Sequence, residues 1–280
     1  MYGEGAANEW ANQFQIPQAS IQEDMDLLDS CEGDFNRLVR AKRALVDDTR
    51  FSPWRVREHI SVNNPERERL MEIAENGIDI CTPPSYEGVT FDTRPELGSA
   101  FLATACAVEK MMYESYWGRG LAVLLKGEAV KRLANFGLCI AGWTTKLKKA
   151  CGRPLANGSG RPRMPPERFM NGPLTKELAI LKYRAIAHPT VGNAVRLILA
   201  FMRDGGHHID DITILTFDLK GAYTLMSYAA QLVAHVGVEL RDEVFMFFLG
   251  GVFGLTSMPF AFDVLTRALV WELNNGVLKG

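Results

Sequence analysis

The chain has few cysteines, and their positions do not suggest that they stabilise the fold. Its 280 residues contain five, at positions 31, 81, 106, 139 and 151. None of them forms a Cys-x-x-Cys pair. An odd number of widely spaced cysteines does not suit a disulfide framework or a structural zinc site. We therefore expect a protein of a reducing, intracellular compartment, either cytoplasmic or nuclear.

Long apolar runs and several common catalytic motifs are also missing. The most apolar stretch, residues 100–108, is too short to span a membrane and is followed by Glu109 and Lys110. The N-terminus is polar and acidic, unlike a secretory signal. We find no Walker lysine loop, no complete dinucleotide-binding glycine motif and no nucleophile elbow. The sequence therefore predicts no membrane partner and none of these three kinds of site.

Charge is distributed unevenly, although the net charge is only −2. Residues 1–100 hold 10 Lys and Arg against 19 Asp and Glu, whereas residues 126–168 hold 10 against 2, a balance of +8. From residue 143 onward the basic segment is also rich in glycine and proline, which predicts a loop. A basic loop is either a solvated linker or a nucleic-acid contact, and its composition alone leaves both open.

Hydrophobic periodicity predicts an α+β chain. Helices are predicted over residues 35–47, 65–76, 97–117, 121–136, 195–201 and 222–233, and from Ser257 to about residue 273. Strands are predicted over 181–187, 212–219 and 244–249. Proline-containing breakers at 82–85 and 93–95 place a soft boundary near residue 95. We therefore divide the chain into an acidic, partly disordered or helical N-terminal region (1–95), a helical segment (96–140) and a mixed region (141–280).

Three short motifs lie in the mixed region. LKYRAIAHP (181–189) alternates cationic and apolar residues, and FDLKGAY (217–223) places an aspartate five residues before an aromatic. VFGLTSMPFAF (252–262) places a glycine just before a helix that has proline in its first turn. In this order they resemble the fingers motif and the first two palm motifs of reverse transcriptases. Phe253 stands where retroviral enzymes commonly have glutamine, so the retrotransposon enzymes fit better.

The resemblance implies that residues 141–280 form fingers and a partial palm, and that the activity is RNA-directed DNA synthesis. Such phosphoryl transfer uses two metal ions held by converging oxygen ligands. The motif match makes Asp218 the catalytic carboxylate and a ligand of Mg²⁺, with the backbone carbonyl of Leu219 as a further ligand. Tyr223 matches the aromatic that lies beneath the incoming sugar and excludes a 2′-hydroxyl. Without the resemblance, a helix-capping role explains Asp218 better, and Tyr223 could equally be a core aromatic.

The remaining implied contacts are to the nucleotide and the template. Lys182 and Arg184 would lie on one face of the predicted strand and bind the triphosphate. Gly254 and Ser257 belong to the loop that would approach the base pair. Contacts to nucleic acid are expected from the basic side chains Lys146, Lys148, Lys149 and Arg153. The alternatives are a solvent-facing edge strand for the two cations and a simple helix N-cap for Ser257.

The third palm motif of the family, a hairpin with paired aspartates, has no counterpart after Phe262 in these 280 residues. Asp218 alone leaves a two-metal site short of ligands. We therefore predict a retrotransposon-type reverse transcriptase fragment, with primer–template and dNTP as partners, that does not polymerise by itself. Without the hairpin, the edge of the palm sheet would need cover from residues 277–280 or from the N-terminal region.

Two alternatives remain open. The chain could be a non-catalytic remnant that keeps nucleic-acid binding or a protein contact. It could also be a helical globular protein with chance motif matches. The sequence predicts no particular oligomeric state.

Salt dependence of binding tests the basic segment. Each phosphate neutralised adds about 0.9 to the slope of log affinity against log salt on duplex DNA. Charge reversal at Lys146, Lys148 and Lys149 should therefore flatten the slope measured by filter binding. The same reversal at Lys176, outside the segment, serves as the control. An unchanged slope in the triple variant would remove this segment from the binding surface.

Overall fold

A computed structural model describes residues 14–46, 51–82, 102–133, 136–144, 153–158, 170–172, 174–186, 191–212 and 221–275. These residues form a mixed α+β structure, which confirms the predicted class. The helices are α1 (Gln18–Ser30), α2 (Phe35–Ala44), α3 (Pro53–His59), α4 (Arg67–Asn76), α5 (Leu102–Ser115), α6 (Gly127–Val130), α7 (Thr175–Tyr183), α8 (Val191–Asp204) and α9 (Ser257–Asn274). The strands are β1 (Ala122–Lys126), β2 (Leu138–Thr144), β3 (Arg153–Asn157), β4 (Gly237–Glu239) and β5 (Val244–Phe248). None of these helices has both the length and the apolarity needed to cross a bilayer.

The five strands form one mixed sheet in the order β1-β5-β4-β2-β3. Strand β5 pairs antiparallel with β1 on one side and with β4 on the other. Strand β2 pairs parallel with β4 and antiparallel with β3. All five residues of β5 are apolar and buried, as expected for a strand covered on both faces. The sheet therefore forms the core against which the helices pack.

Several predicted elements are confirmed. The predicted helices at 35–47, 65–76, 97–117 and 195–201 correspond to α2, α4, α5 and α8, and the predicted strand at 244–249 corresponds to β5. The final helix is α9, in which Ser257 is the first helical residue and Thr256 precedes it. Pro259 lies in its first turn, where its missing N–H has no intrahelical role.

The predicted helix at 121–136 is wrong, because this stretch forms strand β1 and the single-turn helix α6. Residues 122–125 are all buried and pair one by one with β5. A short apolar run of this kind has no periodicity that separates a buried strand from a buried helix. The long-range pairing with β5 therefore decides the structure.

The predicted helix at 222–233 is also wrong. It is replaced by two 3₁₀ turns, Ala222–Leu225 and Ala230–His235. Between them the backbone makes strand-like hydrogen bonds. Ile78 N donates to Ser227 O at 2.8 Å, and Tyr228 N donates to Leu249 O at 3.0 Å. Two outside segments thus take the hydrogen bonds that a helix would have made internally.

The predicted strand at 181–187 is wrong as well, since α7 extends to Tyr183. Ala179 and Tyr183 lie four residues apart and are both buried, so they form one face of a helix. Arg184 then ends the helix with φ of +74°. The strand predicted at 212–219 falls mostly on residues 213–220, which lie outside the described residues.

The N-terminal region shares its core with the sheet. One cluster of buried apolar residues runs from Ile16 to Ala268 and includes residues of all three predicted regions. Arg43 Nη2 donates to the carbonyl groups of Tyr228 at 2.5 Å and Leu249 at 3.2 Å. The N-terminal region therefore bonds to the backbone at residues 228 and 249. Residues 277–280, which were expected to provide cover, lie outside the described residues, and so does the segment that bears Asp218.

Asp24 on α1 joins the N-terminal region to β1. Its carboxylate is fully buried. It accepts hydrogen bonds from Trp117 Nε1 at 2.7 Å and from Leu124 N at 2.8 Å. Lys42 Nζ lies 2.7 Å from its other oxygen. Burial raises the pKa of Asp24, although the contacts with Lys42 and Leu124 N oppose that rise. Removing this carboxylate would leave the buried N–H of Leu124 and the indole N–H of Trp117 without this acceptor, and Lys42 with Glu23 as its remaining ion-pair partner among the described residues.

We expect Asp24→Ala to lower the free energy of unfolding by about 3–5 kcal/mol. The substitution breaks a buried ion pair and leaves the buried backbone N–H of Leu124 without its acceptor. Asp26→Ala is the matched control on the same helix, since Asp26 is exposed and bonds only to Gln22 among the contacts described. The control should stay within about 0.5 kcal/mol of the wild type. Urea unfolding of both variants measures the difference, and equal losses would contradict the assignment.

Candidate functional site

The first and second palm-like motifs meet in the structure. The ring of Tyr223, from the first motif, lies 4.8 Å from the ring of Phe253 and 5.8 Å from that of Phe262, both from the second motif. The backbone brings the two segments together, because Gly251 N donates to Met226 O at 2.9 Å. The residues predicted to contact the sugar and the base pair therefore lie on adjoining segments.

Tyr223 sits in a tight turn that the sequence around it favours. Gly221, with φ of +69°, precedes the turn, and glycine adopts this conformation without steric cost. Thr224 Oγ1 donates to Gly221 O at 2.8 Å and closes the turn. The ring of Tyr223 is only partly buried. It is supported by two aromatic rings and is still accessible to solvent.

The loop before α9 requires glycine at position 254. Gly254 has φ of +108°, and a Cβ there would collide with the carbonyl oxygen of Ala156 in β3. Ala156 N in turn donates to Phe253 O at 2.8 Å. Ser257, the other predicted contact in this loop, is fully buried, and its hydroxyl has no hydrogen-bond partner among the described residues. The loop therefore lies directly against β3, with Ser257 turned to the interior.

Lys182 and Arg184 lie at the end of α7 and contact the acidic N-terminal region. Lys182 Nζ is 3.3 Å from Glu72 Oε1 and 3.4 Å from Asp79 Oδ2. Arg184 Nη1 is 3.3 Å from Glu66 Oε1. Their side chains remain 36% and 55% exposed, respectively. Both cations proposed to bind phosphate are thus paired with carboxylates while staying accessible to solvent.

Glu66 is the centre of a larger charged cluster. Its side chain is only 4% exposed, and it lies within 3.3 Å of the guanidinium groups of Arg69, Arg184 and Arg267. Arg267 also pairs with Asp263 one turn earlier on α9. The N-terminal region, the end of α7 and the second-motif helix therefore meet at a single buried carboxylate.

Most of the remaining predicted site residues lie outside the described residues. Asp218 and Leu219 lie within residues 213–220, and Lys146, Lys148 and Lys149 lie within residues 145–150, all outside the described residues. The backbone of Arg153 begins β3 opposite Thr144. Across the described ranges, no three His, Cys, Asp or Glu side chains are grouped so as to hold a metal ion. The resemblance implies that Asp218, Lys182, Arg184 and Tyr223 face one cleft, and this stays a prediction because Asp218 lies outside the described residues.

Some residues of this region were not found from the sequence. Glu66, Glu72 and Asp79 belong to the acidic first third of the chain, where charge alone does not show which carboxylates pair with distant cations. Asn171 bonds to the loop before α9. The Asn171-Gly172 dipeptide signals a turn, but nothing local connects that turn to residues 254–256.

Comparison of the chain with protein-family models, curated proteins and solved structures gives no match. The functional assignment therefore depends on the motifs and on the geometry described above.

The pairing of Lys182 is testable through its acidity. Burial opposes the charged form of Lys182, but the charges of Asp79 and Glu72 outweigh it and raise the pKa of the ammonium group. We expect the double variant Glu72→Gln/Asp79→Asn to lower this pKa, measured from the pH dependence of acylation at Lys182. Stability should change by less than about 1 kcal/mol, because the pairs are partly exposed.

The matched control for this experiment is Glu68→Gln, which neutralises an exposed carboxylate on the same helix. It should leave the pKa of Lys182 close to that of the wild type. A double variant in which Lys182 titrates as in the wild type would show that the two carboxylates do not hold it in solution.

Proposed function

We propose that this chain is part of a retrotransposon-type reverse transcriptase, with fingers and a partial palm in residues 141–280. The observation that carries the proposal is the contact between the two palm-like motifs, in which the ring of Tyr223 packs against those of Phe253 and Phe262. Two motifs that match by chance are not expected to be in contact. Two motifs that bind one nucleotide must lie close together.

In this proposal the protein binds and orients its substrates and does little covalent chemistry. Tyr223 lies beneath the sugar of the incoming dNTP and excludes a 2′-hydroxyl. The loop at Gly254 lies beside the new base pair, and Lys182 and Arg184 bind the triphosphate. Asp218 and the carbonyl of Leu219 would hold Mg²⁺, which supplies charge stabilisation for phosphoryl transfer.

One observation favours a second candidate, a non-catalytic remnant that retains nucleic-acid binding or a protein contact. Lys182 and Arg184 are already neutralised by Glu72, Asp79 and Glu66. A triphosphate would have to compete with these carboxylates for the same two cations. In a remnant, such pairs would be purely structural, and the basic segment at 126–168 would carry any remaining affinity for nucleic acid.

The 280-residue chain should not extend a primer. It contains no paired aspartates after Phe262, so the carboxylates for a two-metal site are incomplete. We expect no product above background when the chain is incubated with primer–template, dNTPs and Mg²⁺. The Asp218→Asn variant sets that background.

Extension by the wild type that Asp218→Asn abolishes would contradict this expectation and would mean that another carboxylate completes the site. Asp263 and Glu272 would then be the candidates, but both are engaged elsewhere. Asp263 pairs with Arg267, and Glu272 accepts hydrogen bonds from Ser61 N and Asn64 Nδ2, both at 2.8 Å. Either would have to give up these contacts before binding a metal.

Because no primer extension is expected in any case, binding of primer–template is the measurement that separates the candidate functions. Retention of primer–template on a filter supports the two nucleic-acid functions, and its absence favours chance motif matches. The polymerase proposal further expects the next complementary dNTP to bind the primer–template complex. A remnant would hold the duplex without responding to the nucleotide.

A further inference from the structure

Asn171 lies outside the three motifs, yet it holds the loop of the second motif at two points. Its side-chain Nδ2 donates to Gly254 O at 2.7 Å, and its Oδ1 accepts from Thr256 N at 2.8 Å. Its backbone N donates to Gly158 O, at the end of β3, at 2.9 Å. The amide therefore fastens residues 254–256 to the sheet.

Only an amide side chain of this length can make both loop contacts. Asparagine presents one donor group and one acceptor on the same short side chain, whereas aspartate can only accept when ionised and leucine can do neither. The loop has little other freedom, because Gly254 presses against the carbonyl of Ala156. Loss of the amide would thus release the side of the loop that β3 does not hold.

The position of this loop determines what supports Tyr223. Phe253 directly precedes Gly254, and its ring lies 4.8 Å from the ring of Tyr223 at an interplanar angle of 50°. Phe253 O also accepts from Ala156 N at 2.8 Å. Phe253 is held by β3 on one side and continues directly into residues 254–256 on the other. A shift of those residues that pulls on Phe253 would therefore move a ring that packs against Tyr223.

We propose that Asn171 is a positioning residue for nucleotide selection. Its amide fixes the loop from Phe253 to Thr256, and through Phe253 it fixes the ring of Tyr223, which discriminates deoxyribonucleotides from ribonucleotides. This inference rests on the proposed function, because it assigns a partner to the sugar contact of the same site. Asn171 itself touches no substrate.

The experiment compares two readouts in the variants Asn171→Leu and Asn171→Asp. The first is hydrogen exchange at the Thr256 amide, which reports the contact itself. The second is the ratio of dissociation constants for CTP and dCTP, measured on the chain bound to a primer–template with guanine as the next template base. Asn63→Leu and Asn63→Asp are matched controls at an exposed position.

Asn171→Leu should accelerate exchange at Thr256 and lower the CTP to dCTP ratio by about tenfold or more, since small misplacements of a binding group have effects of this size. Asn171→Asp retains the acceptor, so it should keep Thr256 protected and lower the ratio less. This milder variant keeps the test decisive if Asn171→Leu folds poorly. The Asn63 variants should match the wild type in both readouts.

The outcomes separate this inference from the function on which it rests. A wild-type chain that binds CTP and dCTP equally, or neither of them, would overturn the proposed function together with this inference. A wild type that prefers dCTP, with Asn171 variants that expose Thr256 and keep the same preference, would overturn the inference alone. In that case the amide would be a structural contact only.

Discussion

One buried carboxylate, that of Glu66, joins three parts of the chain, two of which carry predicted site residues. A charge with a side chain only 4% exposed is tolerated because three guanidinium groups surround it. These come from α4, from the end of α7 and from α9, so the same contact fixes three parts of the chain relative to one another. Arg184 is the least committed of the three, with one contact at 3.3 Å and a side chain 55% exposed. Glu66 can therefore keep its pairs with Arg69 and Arg267 while Arg184 binds another partner.

The acidic first third of the chain acquires a physical role from these contacts. Glu66, Glu72 and Asp79 all pair with cations of the region that carries the motifs. Part of the negative charge of residues 1–100 is thus offset by cations that lie outside the basic segment. Under the proposed function, a phosphate that bound Lys182 or Arg184 would have to displace a carboxylate as well as water. Nucleotide affinity would then be coupled to the contacts of the N-terminal region.

The hydrophobic pattern of the sequence predicts an element correctly when burial is the same along its whole length. Strand β5 is buried on both faces and α9 begins after clear breakers, so the sequence is sufficient for both. It fails for β1, a short apolar run whose pattern does not separate strand from helix. It also fails for residues 222–233, where Ile78 and Leu249 take backbone hydrogen bonds that a helix would make internally. For the site, the motifs identify Tyr223 and the loop at Gly254. The partners of Lys182 and Arg184 cannot be predicted from the neighbouring sequence, since Arg184 and Glu66, for example, are 118 residues apart.

Two buried tyrosines show how the surroundings of Tyr223 differ from those of a core tyrosine. Tyr228 is fully buried, and its hydroxyl accepts a hydrogen bond from Val252 N at 3.0 Å. Tyr183 is also buried, and its hydroxyl exchanges hydrogen bonds with the backbone of Asp79. Both show what a core tyrosine does here: it hides its ring and bonds its hydroxyl to backbone. Tyr223 instead keeps part of its surface in solvent while two phenylalanine rings support it. Tyr113 is also partly exposed while its ring packs against those of Phe14 and Trp117. The exposure of Tyr223 is therefore compatible with the proposed sugar contact and equally with support at the edge of the core.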